Sequence, residues 1–242
     1  MELKRITKKI KRSLNFSRPL VLVYSHPRSG THLLEAFLAE NFYRGKDLKI
    51  EKITWGHWSN RKINSEGNKY GRLFGNHNFP NKNQNNLPKI YIYRDGRAVA
   101  YSIWKTENFL HKNLKDVSFD DFLNKKIDWY GSPANKSEEN RTIFEHWAEH
   151  FSSWKIFAQR ENILLIKYED LIERPGEQYI KIQKQFFRHK KIKKNQEIRI
   201  IKEPIGLLPN KAVINSWNGK ISKKNLDYFG EILNRYTIDE YE

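Results

Sequence analysis

Cysteine is absent from the 242 residues, so no disulfide and no thiolate metal site can form. That fits a reducing compartment. No apolar run is long enough to span a bilayer. The stretch Met1–Ser17 is rich in Lys and Arg, but no hydrophobic segment of signal-peptide length follows it. A cytoplasmic location is the expectation. No His, Asp and Glu set has the spacing of a zinc site, and no metal is expected. No internal repeat and no linker divides the chain, so 1–242 reads as one domain with a basic N-terminal segment, 1–18. Within that segment Leu3, Ile6, Ile10 and Leu14 fall near one helical face among lysines. A helix packed on its own domain is expected there, with contact to an anionic membrane surface as the alternative.

An aromatic fraction of 14% marks a chain that folds, since disordered chains are poor in aromatics. The length suffices for one sizeable α/β domain. A net charge of +17 attracts anions, either a phosphorylated small molecule or nucleic acid. The basic run Arg188–Lys194 carries no interleaved aromatics, which speaks against single-strand binding. A nucleic-acid partner is therefore not expected.

Three short apolar runs read as buried strands: Pro19–Ser25, Lys89–Tyr93 and Ile163–Lys167. A fourth, shorter one is expected at Arg72–Phe74. Helical patterns begin at Thr31, Ala98 and Ser118, and another helix follows Tyr168-Glu169-Asp170. Phe144, Trp147, Phe151, Trp154 and Ala158 recur at a spacing of three to four, the mark of a buried helical stripe. Strands alternating with helices predict an α/β fold, a central mostly parallel sheet flanked by helices.

Between the first strand and its helix lies Ser25-His26-Pro27-Arg28-Ser29-Gly30-Thr31. A turn of this kind points backbone N–H groups outward, and the helix N-terminus adds partial positive charge. Gly30 admits close approach of an anion, Thr31 offers a hydroxyl, and Arg28 adds a charged planar fork. An ordinary βα turn explains this segment alone equally well. It lacks the GxxxxGK[ST] of a nucleoside-triphosphate cradle. The second candidate, Tyr91-Ile92-Tyr93-Arg94-Asp95-Gly96-Arg97 followed by Ser102, puts an Arg at a strand tip and a Ser two turns up the next helix.

Taken in order, these segments resemble the sulfotransferases that use 3′-phosphoadenosine 5′-phosphosulfate (PAPS). Pro27, Ser29, Gly30 and Thr31 match the family's 5′-phosphosulfate loop, YPKSGTTW, with Arg28 for Lys and His32 and Leu33 for Thr and Trp. Arg94 and Ser102 match its 3′-phosphate motif. Gly75-Asn76-His77-Asn78-Phe79-Pro80 is similar to Lys-x-His-Leu-Pro, whose His is the base; here Gly75 replaces the Lys. Lys167-Tyr168-Glu169-Asp170-Leu171 resembles a YEDL segment whose Tyr approaches the adenine, and Lys211–Trp217 resembles a degraded RKGxxGDW. The resemblance covers about residues 19–235 and implies a P-loop-like sulfotransferase architecture.

It also implies a reaction: transfer of a sulfuryl group from PAPS to a hydroxyl or amine. His77 would be the general base and Arg28 the group stabilising the leaving side. Arg28, Ser29, Gly30, Thr31, His32, Arg94, Ser102, Tyr168 and Lys211 would hold the donor. An imidazole is a suitable base because it titrates near operating pH; Glu35 is the alternative. The acceptor, whether saccharide, lipid or small alcohol, and the oligomeric state are left open. The competing readings are a P-loop-type small-molecule kinase and a basic nucleic-acid-binding protein without catalysis.

Overall fold

A computed structural model describes residues 21–43, 73, 75–81, 87–106, 116–127, 140–189, 191–200 and 214–241. Three parallel strands form its sheet: β1 (Leu22–Ser25), β2 (Lys89–Tyr93) and β3 (Ile163–Lys167), in that spatial order. Val23 pairs with Ile90, and Ile90 with Leu164. Beyond β1 the Val23 N–H donates to the Leu73 carbonyl and the Gly75 N–H to the Val23 carbonyl. Those two bonds follow the pattern of a parallel pairing; of the strand expected at Arg72–Phe74, Arg72 and Phe74 lie outside the described residues.

The helices are α1 (Thr31–Phe42), α2 (Gly96–Trp104), α3 (Phe119–Phe122), α4 (Ile143–Arg160), α5 (Tyr168–Glu173), α6 (Pro175–Phe186) and α7 (Lys223–Tyr236). The α/β architecture expected from the sequence is present. The helix starting after Ser118 is a single turn. Ser118 caps it, with the Asp121 N–H donating to the Ser118 hydroxyl. The turn read at Arg94–Arg97 already becomes helix at Gly96, because the Asp95 carboxylate accepts the Arg97 N–H.

Strand alternation divides the core into two layers. Leu22, Tyr24 and Tyr91 face a cluster with Trp147, Phe151, Trp154 and Phe229, drawn from α4 and α7. Val23, Ile90, Ile92 and Ile166 face the other way, onto Leu34 and Phe37 of α1 and Tyr179 of α6. Phe144, Trp147, Phe151 and Trp154 are buried as the stripe predicted, while Ala158 near the end of α4 is only partly covered. A reciprocal capping box starts α4, with the Thr142 hydroxyl taking the Glu145 N–H and the Glu145 carboxylate taking the Thr142 N–H. Each buried large apolar side chain contributes roughly 1.5–3 kcal/mol. The two tryptophans also reach out of the core: Trp147 Nε1 donates to the Arg94 carbonyl and Trp154 Nε1 to the Asn78 carbonyl.

Candidate functional site

The loop leaving β1 bends through two left-handed residues, Arg28 (φ 66°) and Gly30 (φ 95°). Alternation of this kind turns successive N–H groups toward one concavity. At Gly30 the requirement is also steric. A Cβ there would lie 2.3 Å from Cδ2 of Tyr168 and 2.7 Å from its Cε2. Gly30→Ala therefore combines backbone strain with a clash against a buried ring. We expect it to lower stability by about 1–3 kcal/mol or more, read as a drop in the urea midpoint at unchanged slope. An unaltered midpoint would mean that the loop is not held in this form.

Side chains around the loop converge. The Ser25 and Thr31 hydroxyls are 2.7 Å apart. Arg28 Nε donates to the Ser102 hydroxyl at 3.0 Å, and Arg94 Nη1 to the Arg28 carbonyl at 3.4 Å. The first motif and the second, some 70 residues apart in the chain, are thus joined directly. Arg94 is buried and its guanidinium lies 4.4 Å above the Tyr168 ring. Burial, and then the neighbouring Arg94 charge, lower the pKa of Arg28. Two guanidinium groups held together under partial desolvation favour an anion between them. Ser29 Oγ is buried beside them with no hydrogen-bond partner among the described residues. The Glu169 carboxylate accepts the Asp95 N–H and the Tyr241 hydroxyl, fixing the strand tip that bears Arg94.

His77 reaches the same loop from the segment after Leu73. Its Nδ1 is 2.8 Å from the Ser25 carbonyl and 3.2 Å from the Ser25 hydroxyl. A carbonyl only accepts, so Nδ1 carries the proton and the lone pair sits on Nε2. The expectation of an imidazole titrating near operating pH is corrected here. Burial outweighs the Ser25 carbonyl and, with a small push from His32, lowers His77 to about 4. The ring is accordingly neutral at neutral pH.

His32, expected to contact the donor, has its Nδ1 3.2 Å from the buried Glu35 carboxylate, the group considered as an alternative base. Lys211 lies outside the described residues. Trp217 is partly buried, with the Arg97 guanidinium 4.2 Å over its ring. Gly75 stands where the resemblance places a Lys. A Cβ there would meet the Tyr24 ring at 2.5–2.7 Å, and that ring is itself packed 4.9 Å from Trp154. Among the described residues no group of three His, Asp or Glu could hold a metal ion.

A second set of histidines went unread in the sequence. His26 Nε2 is 3.0 Å from His146 Nδ1, and His26 Nδ1 is 3.0 Å from the Pro27 carbonyl. His150, one turn beyond His146 on α4, contacts the backbone at His77. The signal available was two histidines spaced i, i+4 beside the tryptophan stripe.

A family model described as the sulfotransferase domain matches residues 18–205. The chain is 25% identical over 162 residues to an amine sulfotransferase of Oryctolagus cuniculus, covering 62% of this chain and 50% of that protein. It is 24% identical over 176 residues to sulfotransferase 2A1 of Homo sapiens, covering 67% of this chain and 57% of the other. The chain thus spans about half the length of the curated relatives it matches. Among solved structures, mouse sulfotransferase SULT7A1 complexed with PAP is similar at a TM-score of 0.57 and 19% identity, over 92% of this chain and 86% of that one. Retinol dehydratase in a complex with retinol and PAP is similar at a TM-score of 0.54 and 16% identity, over 93% and 83%. Likeness at these identities concerns the fold.

Proposed function

The chain belongs to the sulfotransferase-domain family, and on that premise we propose that it transfers a sulfuryl group from PAPS to a hydroxyl or amine. The observation that carries this reading is the junction of the two motifs. Arg28 bonds Ser102, Arg94 bonds the Arg28 carbonyl, and the next residue, Ser29, has a buried hydroxyl with no partner among the described residues. A phosphate oxygen is the acceptor such a hydroxyl and its cationic neighbours fit.

PAPS, when bound, supplies the electrophilic sulfur and a stable leaving group, adenosine 3′,5′-bisphosphate (PAP). The residues divide the remaining work. The 27–31 loop would take the 5′ end through its N–H groups, the Ser29 and Thr31 hydroxyls and Arg28. Arg94 and Ser102 would take the 3′-phosphate. His77 would accept the acceptor's proton at Nε2 as the acceptor forms its bond to sulfur and the bond from sulfur to the phosphate oxygen breaks. Arg28, always protonated, would stabilise charge growing on that oxygen. Alcohols and amines are both within this chemistry. One relative is named for amines, and the retinol dehydratase structures hold retinol or androsterone.

The decisive measurement is thermal unfolding with PAP and with ATP. A ligand of the native state at a hundredfold excess over its Kd adds about 2.7 kcal/mol of stability. PAP should raise the Tm clearly and ATP much less, because ATP has no 3′-phosphate for Arg94 and Ser102. Arg94→Ala should erase most of the preference, a loss of roughly 1.5–3 kcal/mol for a charge-assisted bond. Equal shifts from both nucleotides would overturn the assignment.

A further inference from the structure

Helix α4 does more than fill the core. One turn beyond the buried His146, His150 on α4 is fully buried on the helix face that carries Trp147, Phe151 and Trp154. The hydroxyl of Tyr91, at the centre of β2, is 2.8 Å from its Nδ1. Its Nε2 faces two carbonyls, those of His77 at 3.0 Å and Asn78 at 3.2 Å. Carbonyls only accept, so the proton is on Nε2, and the Tyr91 hydroxyl donates to Nδ1. One turn further along α4, Trp154 Nε1 donates to the same Asn78 carbonyl at 3.1 Å. The Phe79 ring closes edge-on over His150, with centroids 5.0 Å apart.

We propose that His150 is a positioning residue for His77: it ties the backbone that carries the base to the same helix and strand that frame the donor loop. The proposal rests on the reading of His77 as the base. The ring of His77 is held through Nδ1 by the Ser25 carbonyl and hydroxyl. The main chain behind the ring is held from the other side, by α4. His150 supplies two donor contacts to it and passes the constraint to β2 through Tyr91. A phenyl group would suit the stripe equally well by volume. It would leave the Tyr91 hydroxyl without its acceptor and take the His150 donor from the His77 carbonyl, while the Asn78 carbonyl keeps Trp154. A buried imidazole is costly unless its bonds are made, and here both nitrogens are used. Burial and nearby His146 hold the ring well below its ordinary pKa, so it keeps the neutral form this arrangement needs.

The test compares His150→Phe with His150→Gln in the full chain, each also combined with His77→Ala. Thermal melts first establish that each variant is folded. Two quantities are then read: amide hydrogen exchange at residues 77–79 with PAP bound, and PAPS turnover with 2-naphthol and benzylamine offered as acceptors. We expect His150→Phe to exchange about tenfold faster at 77–79, a local opening. Its kcat should fall about 10–100-fold, the scale of a misplaced catalytic group, with PAP affinity unchanged. Gln, whose amide can donate to the same carbonyls, should recover most of both. In the His77→Ala background the Phe change should cost nothing further, because it acts through His77. If His77→Ala turns over PAPS as fast as the parent, the base reading falls and takes this inference with it. If His77→Ala is slow but His150→Phe neither frees 77–79 nor slows turnover, only this inference falls. A His150→Phe loss that persists undiminished without His77 overturns it as well.

Discussion

His77→Ala should bind PAP as the parent does and transfer the sulfuryl group roughly 10²–10⁴-fold more slowly, the usual scale for losing a positioned base. The split between binding and rate follows from geometry. The ring touches the Ser25 carbonyl and hydroxyl, whereas Ser102 is held by Arg28 and the Arg28 carbonyl by Arg94. Titrations of PAP and turnover of PAPS on the same preparations measure the two separately. The pH dependence carries a sign that distinguishes this base. With the His77 ring held at about 4, the neutral form persists far below the ordinary imidazole range. Loss of kcat/KM on acidification should therefore begin well below pH 6.5, on an enzyme still folded. Folding sets its own limit. His26 and His150 are also held well below 6.5 by burial, while an unfolded chain binds protons on them near 6.5. Their contribution to stability is present above that value and lost as pH falls. Folded fraction must be monitored alongside rate. A bound anion should raise the His77 pKa, because negative charge favours imidazolium; NMR titration of the ring with and without PAP reads this directly. An active His77→Ala with an unchanged pH profile would send the search to Glu35.

Arg28→Ala should slow the chemical step by roughly 10²–10³-fold, the cost of removing one donor from a developing oxyanion. It should weaken PAP binding far less, since charge accumulates on the bridging oxygen only during transfer. Some weakening is expected, because Arg28 Nε also donates to Ser102. Arg28→Lys keeps the charge and loses the fork. It should stay within about tenfold of the parent in single-turnover rate, the family's usual residue being Lys, at the price of the Ser102 bond. A Lys variant as slow as Ala would show that the planar fork, and with it the link to Ser102, is what the reaction uses.

Much of this could be read in the residues because its physics is local. A continuous apolar run ending in a Gly-containing turn, as at Leu22–Gly30, specifies a buried strand, a bend and a helix start without reference to the rest of the chain. The Arg94–Ser102 spacing is likewise a property of one strand tip and two helical turns. What stayed hidden is non-local. Arg28 meets Ser102 across 74 positions, and His77 meets Ser25 across 52. His146 and His150 sit in a stripe whose tryptophans announce a core, and a pattern of burial does not say that a ring nitrogen finds a carbonyl. The low pKa of His77 is the same kind of fact, set by how many neighbours exclude water.

The contact between Gly75 and Tyr24 carries a consequence for how such a site changes over generations. A side chain at 75 collides with the Tyr24 ring, and Trp154 beside that ring limits its escape. Substitution at 75 alone is therefore a dead end, whereas a smaller residue at 24 opens the space first. The two positions are epistatic, and the order of steps is fixed: position 24 must shrink before position 75 can grow. A lineage that acquired the large ring at 24 would be committed to glycine at 75. Placing a lysine there would take two steps, the first of them through a hole in the core.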